Sequence, residues 1–364
     1  MSDGIFEQLF SLFQSDGPIN WKLAAEVVKP IVGTNEPIEP SIAEEYQELA
    51  RTAGMRLEDA APLSSPGFGD LQPVDRRTWA DENLQSLRYL FEPLPSKLST
   101  GDAADPMAQA MGQFMPSMLG MQVGSMMGFS AQRALGQFDL GLPAMDQPGR
   151  YLIVPNLEAF ATEHGLDPRQ VRLWATAMES AHQMVVNVDW FRGEFLDRVN
   201  AFFTDLHLDT TSIQQQLESL QGEGGLQALL GGEAGDMEVT MAGPLFTGPH
   251  QEQDKASIQA LLAFVEGYGA HLVRRSIGEL IPELDRIEEA QNRRRAEPSE
   301  AEEAFSRLVG LDLERHRART AQEFCAGVVD RWGTERLDAI WEDAEQVPRL
   351  EELSDPIGWA ARLL

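Results

Sequence analysis

"DPRQVRLWATAMESAHQMVV", residues 167–186, carries the punctuation of a helix at its start and the spacing of one along its length. Asp167 can accept from the free N–H groups of a first turn. Pro168 suits that turn because its φ is already helical, and Gln170 can return a hydrogen bond to the cap. Val171, Trp174, Ala175, Met178, His182 and Val185 then fall on one face. A second helix is expected from Asp189 to about His207, with Phe191, Phe195, Val199, Phe202 and Leu206 as its stripe. The join is short, so the two helices are expected to pack as antiparallel neighbours.

The same signals recur outward from this pair. "PSIAEEYQELARTAGM" begins with Ser41 and Glu44 in capping-box spacing, and Ile42, Tyr46 and Leu49 follow. Residues 73–97 carry Trp79, Leu84, Leu87, Leu90 and Phe91 and read as helix, and residues 98–105 as a loop. From Gln251 a long helix aligns Ile258, Leu261, Val265, Tyr268 and Leu272. Polar helices are expected at about 283–296, 299–309 and 313–331. "GRYLIVPNL", 149–157, is the best strand candidate. The fold class is therefore mainly α, with at most a small strand element.

The stretch 106–138 imitates a membrane span, with seven Met residues between 107 and 127 and the spaced glycines Gly120, Gly124 and Gly128. Gln109, Gln113, Ser117 and Gln122 interrupt it and Pro116 sits inside, so it reads as buried helix in close contact. A methionine-lined groove for varied apolar partners is the alternative.

The chain has 364 residues, 43% hydrophobic, and a formal net charge of −29. Such a surface repels phosphate backbones and anionic lipid, which argues against nucleic-acid and membrane partners and leaves room for basic ones. The single cysteine, Cys325, permits no intrachain disulfide and no four-cysteine zinc site, and is expected to be a buried helix residue. Sparse cysteine suits a reducing cytoplasm. The start, "MSDGIFEQLFSLFQSDG", lacks the basic, continuously apolar pattern of a signal peptide. "GEGGLQALLGGEAG" lacks the Lys-Ser/Thr of a phosphate loop, and Arg293-Arg294-Arg295, flanked by acids, is expected to be a solvated face.

The helix at 167–186 also holds the one constellation with chemistry in it. His-Glu-x-x-His on a helix sets two zinc ligands one turn apart, with the glutamate between them as general base. Here Glu179 and His182 are present, and Met178 stands where the first histidine would be. A thioether is neutral and soft and binds Zn²⁺ poorly.

"MESAHQ" (178–183) is followed in order by "NVDWFRGEFL" (187–196) and "LLAFVEGYGAH" (261–271). "GPINWKLAAEVV" (17–28) precedes them, and "LVGLDLERHRARTAQEF" (308–324) and "LDAIWEDAEQVPRLEELSDP" (337–356) come after. In this order the pieces resemble the actinobacterial zincin-like metallopeptidase family, whose members are proposed zinc-dependent hydrolases. The resemblance runs from about residue 17 to 358. It implies a zincin-like helical domain over 17–364. Apart from the resemblance, Phe6, Leu9, Phe10 and Phe13 at helical spacing make 1–16 a short helix or tail, and the glycine content of about 221–250 reads as a flexible excursion. The resemblance implies Glu179 as general base, His182 as a metal ligand and Glu266 as the third ligand. It places Met178 and Tyr268 where the family has histidines; His271, five residues past Glu266, is a weaker substitute. The expectation is a degenerate member that binds no zinc tightly, cleaves no peptide and binds an unidentified protein. The alternative is an active zinc-dependent hydrolase with an altered ligand set.

Overall fold

The computed structural model describes residues 15, 17–64, 71–93, 106–143, 150–204, 206–208, 246–297, 299, 302–303, 305–306 and 317–364. The expected helix within 1–16, the loop at 98–105, most of the glycine-rich excursion and most of 299–316 lie outside the described residues.

The helices in chain order are α1 (Trp21–Val32), α2 (Pro40–Ala60), α3 (Arg76–Ser86), α4 (Arg88–Phe91), α5 (Pro106–Arg133), α6 (Val154–Glu163), α7 (Pro168–Val186) and α8 (Phe191–Thr204). They continue with α9 (Gln251–Ile277), α10 (Leu284–Ala296), α11 (Arg317–Trp332), α12 (Thr334–Asp338) and α13 (Pro356–Arg362). Strands β1 (Leu71–Val74) and β2 (Arg150–Ile153) pair in parallel, while β3 (His207–Leu208) and β4 (Phe246–Thr247) form a minimal antiparallel pair. The fold is mainly α.

Helix α5 is one continuous helix with Pro116 inside it, and it lies along α1. The glycine stripe explains the close approach. A Cβ at Gly124 would stand 2.5 Å from the Ala24 carbonyl oxygen and 2.9 Å from its Cα, and one at Gly128 would stand 2.9 Å from Ile31. Pro116 takes part in the same contact: its carbonyl accepts the Asn20 N–H at 2.8 Å. No described helix is long and apolar enough to cross a membrane.

Several expectations need correction. The helix expected from residue 73 begins only at Arg76, because Pro73 and Val74 belong to the strand Leu71–Val74, which pairs beside β2 in the core. The strand candidate at 149–157 is strand only to Ile153, where Pro155 helps open α6. Helix α2 starts at Pro40 with no side-chain cap, so Ser41 does not close a capping box. Asp167 does cap α7, accepting the Gln170 N–H at 3.0 Å. Gln170 bonds elsewhere: its side chain accepts the Glu283 N–H at 2.8 Å, and the Glu283 carboxylate accepts the Asp167 N–H at 2.7 Å, which ties α7 to the start of α10. Helix α7 packs chiefly on α2 and α9, and α8 packs on α9. The short join makes the two helices neighbours in sequence, but they touch each other only slightly and share α9 as a packing partner.

A candidate metal pocket closed by an arginine

Helix α7 brings Met178, Glu179 and His182 into the protein centre, with 8, 4 and 3% of their surface exposed. Helix α9 brings Glu266, 8% exposed, to the same place. His182 Nε2 lies 3.6 Å from Glu266 Oε2, too long for a hydrogen bond, and has no hydrogen-bond partner. Burial lowers the His182 pKa and favours the neutral ring.

Glu179 is held from a third direction. After α5 the chain runs beside β2: Gln137 N–H donates to Tyr151 O at 2.9 Å and Ile153 N–H to Leu135 O at 2.9 Å. That path aims the Phe138 N–H at Glu179, whose Oε1 accepts it at 2.9 Å. Gly136 leaves room for this carboxylate, since a Cβ there would run into Glu179 Oε1. Burial pushes the Glu179 pKa well up, and the backbone N–H groups of Phe138 and Gln137 oppose the rise only in part. The hydrogen bond that holds the Glu179 carboxylate thus comes from the backbone.

The fourth side of the pocket is α10, and sequence reasoning missed it. Arg293 is exposed and pairs with Glu289, but Arg294 and Arg295 turn inward, so the triplet is not the solvated face that its acidic flanks suggest. Arg295 Nη2 donates to Glu266 Oε2 at 2.7 Å and lies 3.5 Å from Asp139 Oδ1. Asp139 also accepts Gln291 Nε2 at 2.8 Å and the Leu135 N–H at 2.9 Å, and pairs with Arg294. A signal did exist: Leu284, Ile287, Gln291 and Arg294 repeat at intervals of three and four and carry the buried face of α10 into the triplet.

Tyr268 does not line this pocket. Two residues past Glu266 on a helix is nearly the opposite face. Its hydroxyl donates to Asp338 Oδ1 at 2.9 Å and its ring meets Trp341 at a centroid distance of 5.0 Å. Gly269, one turn after Glu266, is the α9 residue that abuts His182, where a Cβ would stand 3.1 Å from Nε2. His271 faces Arg275 and Asp330 and is likewise absent from the pocket lining.

The pocket lined by residues including Gly136, Asp139, Met178, Glu179, His182 and Arg295 is about 30 Å³. That holds a water molecule or two. A larger groove, about 780 Å³, lies elsewhere between α8, α9 and the C-terminal segment, lined by residues including Arg198, Ser257, Glu345, Arg349 and Arg362.

The residues present do not fit a catalytic zinc site. Among the described residues no three His, Cys, Asp or Glu side chains are grouped to hold a metal ion. The carboxylate of Glu266 is committed to a guanidinium, that of Glu179 to a backbone N–H, and Met178 offers only a thioether.

With this geometry in view, the comparisons assign the chain. The family model of the zincin-like metallopeptidases matches residues 19–360, and the chain belongs to that family. A crystal structure from Chloroflexus aurantiacus, a proposed hydrolase described as having a novel fold, is similar with a TM-score of 0.70 at 22% identity. The match covers 95% of this chain and 98% of that one, and likeness at this identity speaks to the fold. No curated protein matches the sequence.

Proposed function

We propose that this chain is a non-peptidolytic member of its family and that it acts by binding a protein. The observation that carries the reading is the size and content of the pocket. A peptide needs a cleft of roughly 300 Å³ or more, and the space around Glu179 and His182 is about 30 Å³, with an arginine side chain as one wall. Zinc hydrolysis needs a metal with an open position and a carboxylate free to take a proton from bound water. The Glu179 carboxylate accepts a backbone N–H instead. The partner expected is basic, given a formal net charge of −29.

One observation favours the competing reading, an active zinc hydrolase that uses His182, Glu266 and Glu179. His182 Nε2 and Glu266 Oε2 are 3.6 Å apart, close to the roughly 3.4 Å that separates two ligands of one tetrahedral zinc. Elemental analysis of untagged protein and a peptide-library cleavage assay decide between them. The proposed reading expects substoichiometric zinc, no cleavage, and salt-sensitive binding of basic peptides. Stoichiometric zinc, with cleavage that Glu179→Gln abolishes in a folded protein, refutes it.

A further inference from the structure

We propose that Arg295 is a tethered cation standing in the metal's place, so that the pocket is closed to divalent ions by the protein's own charge and not only by the missing ligand at Met178. The inference rests on the reading above and deepens it.

Three observations combine. The first is spacing. His182 Nε2 and Glu266 Oε2 keep a separation of 3.6 Å, that of two zinc ligands, yet no hydrogen bond joins them. The second is occupancy. The Glu266 oxygen that would share a metal with His182 is the one that accepts from Arg295 Nη2 at 2.7 Å, and the Arg295 side chain is only 9% exposed. The third is that the arginine is fixed in position independently of Glu266. Next to it, Arg294 donates to Asp139 and to the Arg133 carbonyl. Arg133 Nη2 in turn donates to the Arg294 carbonyl at 2.6 Å, which clasps the end of α10 to the end of α5.

Arginine is suited to such a lock. A lysine or histidine can lose its proton and make way for a metal, whereas a guanidinium stays charged at any accessible pH. Asp139 and Glu266 face Arg294 and Arg295, two carboxylates against two cations. Glu179, the remaining carboxylate, is held by the Phe138 N–H, so a divalent ion entering this set would add two charges and meet at most one further anion. Restoring histidine at position 178 should therefore not suffice to restore metal binding. Tyr268→His adds nothing, because that position faces Asp338.

The test uses the full chain and Co²⁺, whose visible absorption reports tetrahedral coordination, with Zn²⁺ as competitor. The parent, Met178→His, Arg295→Ala and the double variant are titrated, with circular dichroism to establish folding. The double variant is expected to bind Co²⁺ with a tetrahedral spectrum, on the order of a hundredfold tighter than Met178→His alone, the scale of coupling expected for a buried charge pair. If Met178→His alone binds as tightly as the double variant, Arg295 is not a lock and the inference fails. A folded double variant that binds no better than Met178→His overturns it equally. Should Arg295→Ala unfold the chain, the uncharged but polar Arg295→Gln in the Met178→His background gives the same comparison. A parent that itself binds zinc and cleaves peptide refutes the non-peptidolytic reading. A zinc-free parent beside a fully competent Met178→His refutes only the lock.

Discussion

Replacing Arg295 by Met tests the electrostatics of the pocket through stability alone. The methionine keeps most of the aliphatic stem and removes the charge. Arg295 and Glu266 expose 9% and 10% of their side chains, so the pair is buried. Removing one partner of such a pair leaves an uncompensated carboxylate and costs about 3–5 kcal/mol. The converse change, Glu266→Gln, is milder, because Arg295 retains Asp139 at 3.5 Å; its cost is about 1–3 kcal/mol, the scale of a lost charged hydrogen bond. The double variant has no stranded charge, so the two costs should fall short of additive by about 2 kcal/mol. Urea denaturation at neutral pH, followed by far-ultraviolet circular dichroism, measures all four forms. The reasoning is refuted if Arg295→Met costs less than about 1 kcal/mol, or if the two changes simply add.

Three further outcomes are expected. Gly124→Ala gains helix propensity but drives a methyl into the Ala24 backbone, 2.5 Å from its carbonyl oxygen, so the melting temperature should fall by an amount matching about 1–3 kcal/mol; an unchanged melt contradicts the close packing of α1 on α5. Gly136→Ala should destabilise by a similar amount, and Glu179→Ala in the same chain should recover part of the loss by vacating the space; additive costs would show that the methyl and the carboxylate do not compete. His271 has its pKa lowered from 6.5 to about 4, first by burial and then by Arg275, so its proton binds more strongly in the unfolded chain. Stability should thus be undiminished above pH 6.5 and fall as the pH drops towards 4, by at most about 2 kcal/mol between pH 7 and 5, and His271→Gln should flatten that slope; an identical slope in the variant rules the histidine out.

What the sequence shows and what it hides follow from the range of the forces concerned. The start of α7 is legible because Asp167 and Pro168 act within one turn. The stripe Ile258, Leu261, Val265, Tyr268 and Leu272 is legible because helical spacing alone puts it on one buried face. Glu266 lies off that stripe and is buried all the same, since α9 is covered on nearly every side, and periodicity does not mark such a residue. Strand β1 is hidden because "LQPV" contains a proline and has meaning only beside β2, from which it is separated by 75 residues of chain. The Arg294–Asp139 pair spans 155 positions, so local composition assigned the arginine to the surface.

The surroundings of His182 differ from those of a histidine buried by chance on an apolar stripe. A helix stripe with a stray histidine would surround His182 with apolar side chains and a hydrogen-bond partner. His182 instead faces a carboxylate across 3.6 Å without bonding it, while that carboxylate meets an arginine. Burying Glu266 with no cation would be costly, so the carboxylate needs a positive group at this point, a metal or a side chain. Arg295 supplies it from α10, a helix that is fastened to α7 through Glu283 at its start and to α5 through Arg294 at its end. Those two attachments let the cation be positioned by the fold rather than bound from solution. On the reading proposed above, the absence of a tightly held metal and the presence of Glu266 are parts of one arrangement.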